Sequence, residues 1–435
     1  MKKQLLGVVA AAIATTLAVS ACGPSSDSAT STEGATVSYM TWESNATNKA
    51  LDATMKKFAT DQKITVKREQ APNADYSQKL ASLIMAKKAP DFFWCTTSQE
   101  QNLAAEGLLY DWTDKLNSGD GLQADKFAPG SLDLWKDAKG KLYGIPTLAN
   151  TYGFFYNKSA FTKAGLKVPK AGWTWDDLFT DIKALKKSDD GHTPLVTQWS
   201  LLESPQGLSA YSVSNGGSPL LDKTIGATKI TADQGFRQGA HKIASAISAK
   251  EMTNPDYDGS NAMAAFANGG IPLMFGGQWL QANIAPLKPK FGWGYAPWPS
   301  GTASSVQPIE TNGVCSPATL KDPDATWKTI SYMDSTGFND AMKEQPIAPI
   351  AYQPGSIGYY EALEAGSKAD KSIAATAKYE LQAKDKFVTQ FLDPWSTKAA
   401  DVVTTSLNPA LEGKKDLDAG IDSMVSDIQA LITKQ

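Results

Sequence analysis

The fold class is set by residues 37–95, which read VSYMTWESNATNKALDATMKKFATDQKITVKREQAPNADYSQKLASLIMAKKAPDFFWC. Alternating or short apolar runs predict strands, and apolar residues three and four positions apart predict helices. These patterns place strands at Val37–Trp42, Ile64–Lys67 and Asp91–Cys95, and helices at Asn48–Asp61 and Tyr76–Lys87. Asn48 is the predicted N-cap of the first helix. The order β-α-β-α-β favours an α/β fold, in which a mainly parallel sheet is flanked by helices on both faces.

The rest of the chain repeats this pattern with less regularity. Trp173–Lys187 is a predicted helix with Thr174 as its N-cap and two aspartates in its first turn, where they complement the helix dipole. Helices are also predicted at Ala262–Asn268, Ala325–Asp334, Ile373–Phe387 and Leu417–Lys434, and a strand at Ile271–Phe275.

The composition excludes several classes of function. The 435 residues include 42 Lys and Arg against 45 Asp and Glu, a formal charge of −3. A nucleic-acid partner is not expected, because there is no basic excess. Two histidines and three cysteines supply few soft ligands, so we expect no metal site and no cofactor. The 12 tryptophans, in contrast, require an explanation.

The first 21 residues have the pattern of a secretory signal peptide. A basic pair, Lys2 and Lys3, precedes the uncharged apolar stretch Leu5–Val19, which is too short to span a bilayer comfortably. Val19-Ser20-Ala21 then precedes Cys22, an arrangement similar to a bacterial lipobox. We therefore predict cleavage after residue 21 and diacylation of Cys22, which would anchor the protein firmly. The alternative is an ordinary secretory signal that happens to be followed by a cysteine.

Residues 22–36, CGPSSDSATSTEGAT, carry too few apolar side chains to fold on their own. We expect the lipidated cysteine to be followed by a flexible tether up to residue 36. No later segment has the length and hydrophobicity of a membrane span. The predicted location is the extracytoplasmic face of the bacterial cell membrane.

Four blocks of sequence, in order, resemble the family 1 extracellular solute-binding proteins, which are carbohydrate receptors of ABC importers. The first block spans residues 55–112 and includes ITVKREQ, KKAPDFFW and EGLLYDW. The others are GKLYGIP (Gly140–Pro146) with GFFYNKSAFTKAGL (Gly153–Leu166) and WTWDDL, FANGGIPLMFGGQWL (Phe266–Leu280), and Thr311–Val314 followed by DATWKTISYM (Asp324–Met333). Together they cover nearly all of residues 37–435.

This resemblance implies a two-lobed fold like that of periplasmic binding proteins, in which each lobe has a mainly parallel sheet and the ligand lies between the lobes. By analogy, residues 37–149 and 313–369 form the N-terminal lobe, and residues 150–312 and 370–435 form the C-terminal lobe. The implied function is capture of a carbohydrate, more specifically an oligosaccharide, and its delivery to an ABC-type permease. We expect a monomer whose partners are the carbohydrate, the permease subunits and, through Cys22, the membrane.

A sugar presents apolar C–H faces and a rim of hydroxyl groups, so its receptor needs aromatic platforms and planar polar side chains. The family's ligand-stacking tryptophan corresponds to Trp279 in Gly276-Gly277-Gln278-Trp279; the alternative is a core tryptophan. Open α/β sheets bind ligands beyond the carboxyl ends of their strands. The candidates at such ends and at the crossings between lobes are Trp42, Glu43, Thr96, Thr97, Asn150, Tyr152 and Asn312. For Trp42 and Glu43 the alternative is a loop that faces bulk water.

Four further candidates depend on looser similarity. An aromatic and acidic cluster of the family corresponds to Trp199 and Glu203 in HTPLVTQWSLLESP. Trp395 in FLDPWSTKAADVV resembles a tryptophan that packs over the ligand, and Trp298 in GYAPWPSG is a candidate for the lip of the cleft. For Trp298 and Trp395, packing between elements is the competing interpretation.

Two cysteines, Cys95 and Cys315, remain after lipidation of Cys22. Cysteines outside the cytoplasm can pair, but the sequence contains no distance between them, so their pairing stays open.

Two other classes of function compete with a transport receptor. A glycoside hydrolase needs two carboxylates at a fixed separation, and none of the carboxylates here lies in a recognisable catalytic motif, so we do not expect an enzyme. A surface sensor or adhesin would share the lipobox and the tether.

Overall fold

The computed structural model describes residues 32–69, 71 and 75–434, so the predicted signal peptide and Cys22 lie outside the described residues. The strands of this part are β1 (Thr36–Met40), β2 (Thr65–Glu69), β3 (Phe92–Thr96), β4 (Gly144–Asn150), β5 (Tyr152–Asn157), β6 (Leu195–Thr197), β7 (Leu273–Gly277), β8 (Trp293–Ala296), β9 (Val306–Cys315) and β10 (Asp385–Val388). The helices are α1 (Asn45–Gln62), α2 (Tyr76–Met85), α3 (Thr97–Ala105), α4 (Thr113–Asn117), α5 (Lys158–Lys163), α6 (Trp175–Ser188), α7 (Pro205–Ser214), α8 (Gln234–Ser248), α9 (Ala262–Ala267), α10 (Gln281–Ile284), α11 (Pro323–Tyr332), α12 (Phe338–Glu344), α13 (Ile357–Ala365), α14 (Lys368–Gln382), α15 (Ser396–Val402), α16 (Asn408–Leu411) and α17 (Leu417–Thr433). None of these helices is both long enough and apolar enough to cross a membrane.

The β-α-β-α-β order predicted for residues 37–95 is confirmed, and the first helix starts earlier than expected. Ser44, not Asn48, is the N-cap of α1, because its side chain accepts a hydrogen bond from the backbone N–H of Thr47 at 3.2 Å. Asn48 is buried inside the helix, where its side chain accepts a hydrogen bond from Thr41 Oγ1 at 2.7 Å and donates one to the carbonyl oxygen of Glu43. The N-cap predicted at Thr174 is confirmed by a reciprocal pair of hydrogen bonds with Asp177.

The first sheet has the order β10-β9-β3-β1-β2, with β4 also paired to β9. Strands β1, β2 and β3 are parallel, as predicted, and β10 is parallel to β9. Strand β9 runs antiparallel to both β3 and β4. The sheet is therefore parallel where βαβ units build it and antiparallel where the chain returns from the second sheet.

The second sheet has the order β6-β7-β5-β8, and the prediction of a mainly parallel sheet is wrong for it. Strand β5 is antiparallel to both β7 and β8, and only the pair of β6 and β7 is parallel. Neither neighbour of β5 is the next strand along the chain, because β6 lies between β5 and β7, so no single βαβ crossover sets a parallel direction for these pairs.

Three segments connect the first sheet with the second in the described part of the chain. Thr151 alone separates β4 from β5, and residues 297–305 lead from β8 to β9. The third segment follows β10 and leads through residues 389–395 to α15. The helix predicted over Ile373–Phe387 is confirmed up to Gln382, where α14 ends, and the prediction is wrong beyond that residue. Residues 385–388 instead pair with β9 as strand β10.

The described residues form two hydrophobic cores. The first includes Tyr39 and Phe92 of the first sheet and also Phe155 on one face of the second sheet. The second includes Phe154 and Phe275 on the other face of the second sheet. Helices contact strands of both sheets, as expected for the two-lobed α/β architecture that was predicted.

Cys95 on β3 and Cys315 on β9 form a disulfide with a Cα–Cα distance of 6.0 Å. The pairing left open by the sequence is therefore settled, because antiparallel pairing of β3 with β9 brings the two side chains together. Both residues are fully buried, so the bond lies inside the first core.

Candidate ligand-binding site

A cavity of about 240 Å³ lies beside the segments that connect the two sheets. It is lined by Tyr152, Trp199, Ser200, Leu201, Ser204, Glu310, Thr389 and Gln390. Tyr152 opens β5, Glu310 lies in β9, and Thr389 and Gln390 directly follow β10. The cavity thus gathers residues that are far apart in sequence, because the first and third connections lie beside strand β9 there.

Three aromatic side chains form a contiguous cluster at this cavity. The ring of Trp279 contacts the ring of Tyr152 edge to face, with centroids 5.2 Å apart, and contacts the ring of Trp199 at 5.3 Å. Trp199 is 41% exposed, which is unusual for a tryptophan, and Trp279 is half-buried. Trp279 also packs against both hydrophobic cores. The cluster offers partly exposed aromatic surface at the boundary between the two lobes.

The two glycines before Trp279 allow this arrangement. A Cβ atom at Gly277 would lie 2.1 Å from the Trp279 ring, and one at Gly276 would lie 2.6 Å from Leu280. The indole ring can therefore fold back over the end of β7 only because residue 277 has no side chain. Gln278 is buried between them, and its Oε1 accepts hydrogen bonds from the backbone N–H and the hydroxyl of Thr151, at 2.7 and 3.1 Å.

The polar side of the cavity is organised by Glu310. Its Oε2 accepts hydrogen bonds from the Tyr152 hydroxyl and from Thr389 Oγ1, the latter at 2.8 Å. Its Oε1 accepts one from Asn150 Nδ2 at 3.4 Å. Burial, together with the charge of Glu310, raises the pKa of Tyr152 well above its usual range, so the hydroxyl stays protonated and remains a donor.

Of the predicted site residues, Asn150, Tyr152, Trp199 and Trp279 come together at this cavity. Thr97 is connected to it as well, because its Oγ1 accepts a hydrogen bond from Gln390 Nε2 at 3.3 Å. Both Tyr152 and Thr97 are nevertheless largely buried.

Four predicted residues lie at the carboxyl ends of the first sheet and do not line the cavity. Trp42 packs edge to face against Tyr76, and Oε1 of Glu43 accepts a hydrogen bond from Trp94 Nε1 at 3.0 Å. Burial raises the pKa of Glu43 to about 7, so this carboxyl titrates near neutral pH. The other two residues, Thr96 and Asn312, are paired across β3 and β9.

Thr96 has a local role that the sequence analysis did not assign. Its hydroxyl accepts a hydrogen bond from the backbone N–H of Gln99, and the Gln99 side chain accepts one from the backbone N–H of Thr96. This reciprocal pair is a capping box, so the side chain of Thr96 starts helix α3.

Three predicted residues belong to the interior and not to the cavity. Trp298, predicted at the lip, is 1% exposed and contacts the rings of Trp175 and Phe275 in the second core. Trp395 is buried in the same core against Phe391. The competing interpretation, packing between elements, is correct for both tryptophans.

Glu203 is also buried, at the start of α7. Its Oε1 accepts a hydrogen bond from Thr197 Oγ1 at 3.1 Å, and its Oε2 has no partner in the described part of the chain. Burial raises its pKa to about 7. Glu203 therefore contributes a buried carboxyl beneath the cavity wall and does not line the cavity.

Glu310, Thr389 and Gln390 are site residues that the sequence analysis missed. Glu310 could have been found, because it lies two positions before Asn312 on β9 and alternate residues of a strand share a face. Both residues are partly exposed, whereas Thr311 between them is buried. Thr389 and Gln390 carried no such signal, because they follow a segment that was predicted to be helical.

Comparisons with known proteins agree with this architecture. Residues 53–353 match the model of the bacterial extracellular solute-binding protein family. The multiple sugar-binding protein of Streptococcus mutans is 25% identical over 326 residues, which cover 68% of this chain and 69% of that protein. The sn-glycerol-3-phosphate-binding periplasmic protein UgpB of Rhizobium meliloti is 30% identical over 99 residues, which cover 22% of this chain and 23% of that protein.

A solved structure shows the same fold over nearly the whole chain. The ABC substrate-binding protein Lmo0181 of Listeria monocytogenes, in complex with cycloalternan, superimposes with a TM-score of 0.72. The two chains are 21% identical, and the match covers 92% of this chain and 99% of that chain. Because the family model matches more than half of the sequence and the two-lobed fold agrees, this chain belongs to the bacterial extracellular solute-binding protein family.

Proposed function

We propose that this protein is the carbohydrate receptor of an ABC importer, and that it captures an oligosaccharide at the cavity between its lobes and delivers it to the permease. The observation that carries the proposal is the aromatic surface of Trp199 and Trp279 next to the hydrogen-bonding groups around Glu310. Aromatic rings stack on the C–H faces of a sugar, while carboxylate and amide groups bind its hydroxyls. Relatives with sugar-binding names support the same class of ligand.

The charge of the cavity supports a neutral sugar over a phosphorylated ligand. Among the described residues that line it there is one carboxylate, Glu310, and no Lys, Arg or His. A phosphate group is normally bound by arginine, lysine or a helix N-terminus, and an unneutralised carboxylate would repel it. We therefore infer that the ligand differs in charge from the glycerol phosphate named for the UgpB relative.

The same lining argues against a glycoside hydrolase. Hydrolysis of a glycosidic bond uses two carboxyl groups about 5–10 Å apart on either side of the bond. Glu310 is the single carboxylate among the described lining residues, and three neutral donors already hold it.

A second cavity supports a ligand longer than one sugar unit. It measures about 460 Å³, lies between α7 and β10, and shares Gln390 with the first cavity. Apolar side chains such as Val213 and Phe387 form much of its wall, and its charged lining residues are Lys223, Lys384, Asp385 and Lys386, so the absence of basic residues applies to the first cavity alone. Further units of an oligosaccharide could extend past Gln390 into this space.

We also propose the anchoring and the lobe boundaries implied by the sequence. Cys22 would carry the lipid that holds the receptor on the outer face of the cell membrane, with residues 22–36 as the tether. Residues 37–149 and 313–369 would move against residues 150–312 and 370–435, as one monomer. Ligand binding would then shift an equilibrium between open and closed forms, and the permease would recognise the closed form.

A thermal-shift screen with purified protein tests the function. Neutral oligosaccharides, their monosaccharides and sn-glycerol 3-phosphate would be compared at equal concentrations, because a ligand of the native state raises the melting temperature by an amount that grows with the logarithm of its concentration over its dissociation constant. We expect a stabilising neutral oligosaccharide that chromatography recovers intact. Cleavage of the sugar would indicate a hydrolase, and stabilisation by the phosphate alone would overturn the proposal.

Small-angle scattering separates a transport receptor from a surface adhesin or sensor. At saturating oligosaccharide the radius of gyration should fall if the lobes close. An unchanged radius with a bound sugar would count against hinge closure and in favour of the adhesin.

A further inference from the structure

Two of the connections between the sheets supply hydrogen-bond donors to one carboxylate. Glu310 itself belongs to β9, the strand that returns from the second sheet to the first. Asn150 and Tyr152, which donate to it, flank Thr151 in the first connection. Thr389, which also donates to it, opens the third connection. Donors at the first and third connections therefore bond to a single side chain on β9.

A carboxylate suits this position because it accepts several hydrogen bonds at once. Its two oxygens have about four acceptor sites, and three are occupied by neutral donors. Hydrogen bonds to a charged acceptor are roughly twice as strong as those between neutral groups. An amide at position 310 carries no charge and has a single acceptor oxygen, so the pattern in which three donors bond to two charged oxygens cannot be kept.

Tyr152 transmits this arrangement to the aromatic cluster. Its backbone N–H donates to Oε2 of Glu380, a buried carboxyl on α14, at 3.2 Å, and its hydroxyl donates to Glu310. The residue is thus held at both ends. Its ring packs edge to face on Trp279, which in turn contacts Trp199. The direction of the Tyr152 side chain therefore sets the packing of both tryptophans.

We infer that Glu310 is a positioning residue that ties the first and third connections to strand β9 and, through the Tyr152 hydroxyl, orients the Trp279–Trp199 pair. This role goes beyond the proposed function, since it holds whatever solute the receptor binds. In the ligand-free protein, loss of the carboxylate should disturb Trp279, Trp199 and the backbone segment that contains Tyr152, while both cores remain intact.

The test uses the ligand-free protein labelled with 5-fluorotryptophan and observed by ¹⁹F NMR, with resonances assigned by replacing single tryptophans. Glu310→Gln is compared with Glu106→Gln, which makes the same change of charge at an exposed residue at the end of α3. We expect Glu310→Gln to shift the Trp279 and Trp199 resonances and to leave those of the buried Trp112 and Trp327 in place. The Glu106→Gln spectrum should match the wild type.

Hydrogen–deuterium exchange provides a second readout. The peptide that contains Tyr152 should exchange about tenfold faster in Glu310→Gln. Opening of this segment breaks the hydrogen bond from the Tyr152 hydroxyl to Glu310, and a bond to a charged group changes such an opening equilibrium by about tenfold or more. Peptides from β3 should exchange at the wild-type rate. Unchanged Trp279 and Trp199 resonances together with unchanged exchange at Tyr152 would overturn the inference.

If Glu310→Gln instead changes every resonance because the fold loosens, Tyr152→Phe decides. This variant removes only the hydroxyl that bonds to Glu310 and keeps the ring. A shift confined to Trp279 and Trp199 would support the inference, and wild-type resonances would overturn it. Because no ligand is present, failure of this inference and failure of the carbohydrate proposal are distinguishable.

Discussion

Truncating Trp279 tests whether the aromatic cluster is a binding platform or simply part of a core. The side chain is half-buried and contacts Tyr152 and Trp199 with ring centroids 5.2 and 5.3 Å apart. Each aromatic pair contributes about 0.5–1.5 kcal/mol to stability beyond its buried area. Loss of these two pairs in Trp279→Ala should therefore lower the free energy of unfolding of the ligand-free protein by about 1–3 kcal/mol, and loss of the buried part of the side chain adds to this.

Trp279→Ala should also weaken the affinity of the protein for its oligosaccharide. An aromatic anchor removed from the centre of a binding site commonly costs about 2 kcal/mol or more of binding free energy. Since 1.4 kcal/mol corresponds to a tenfold change, the dissociation constant for an oligosaccharide found by the screen should rise by more than about tenfold. Calorimetric titration measures this change, and denaturant unfolding measures the stability.

Trp298→Ala is the matched control. Trp298 is 1% exposed, contacts Trp175, Phe275 and Phe387, and lies in the second core. Its truncation should cost about 3–5 kcal/mol of unfolding free energy. If Trp298→Ala still folds, it should bind the oligosaccharide with nearly wild-type affinity. If Trp279→Ala kept its affinity and lost stability as Trp298→Ala does, Trp279 would be a core residue and the platform would be refuted.

The remaining predictions concern the disulfide, a buried carboxyl and the anchor. Replacing Cys95 and Cys315 by Ala should lower the unfolding free energy by about 2–5 kcal/mol, because the bond closes a loop of 220 residues; equal denaturation midpoints with and without reductant would contradict a formed disulfide. Burial raises the pKa of Glu203 from 4.5 to about 7, so stability is lost as the pH rises through that interval. Glu203→Gln should therefore be more stable than the wild type at about pH 8 and not at about pH 4, and an equal difference at both would refute the linkage. Cys22→Ser should leave the protein unprocessed or release it from the membrane, as fractionation would show; normal membrane attachment would contradict lipidation at Cys22.

Local patterns in the sequence predicted the elements that local interactions determine. The helical spacing of Leu51, Met55 and Phe58 follows from one buried face of α1, and α17 begins at the predicted Leu417. The N-cap of α1 was predicted wrongly because two residues near its start have side chains that are equally suited to capping. Ser44 and Asn48 are both capping residues, and only the contacts of Asn48 with Thr41 and Glu43 show that it lies within the helix.

The remaining features depend on contacts between distant residues, which a single sequence does not contain. Residues 385–388 become a strand because β9 is available for pairing, and β5 is antiparallel to neighbours that are not the next strands along the chain. The disulfide depends in the same way on the antiparallel pairing of β3 with β9. Trp279 and Trp298 each lie two residues beyond the end of a strand, yet one packs on Gly277 at the cavity and the other lies among three rings in the core.

The position of the cavity has a consequence for how binding and lobe closure are coupled. Tyr152 and Gln390 lie at the first and third connections and Glu310 lies on β9, whereas Trp199 and Trp279 belong to the second sheet and its loops. No residue of β1, β2 or β3 is among the described residues that line the cavity. Because a ligand shifts an equilibrium only through its difference in affinity for the two states, the proposed closure requires first-sheet groups that contact the solute only in the closed form. If the half-buried Trp42 and Asn312 are these groups, their replacement should weaken closure, measured by small-angle scattering, more than initial binding, measured by calorimetric titration.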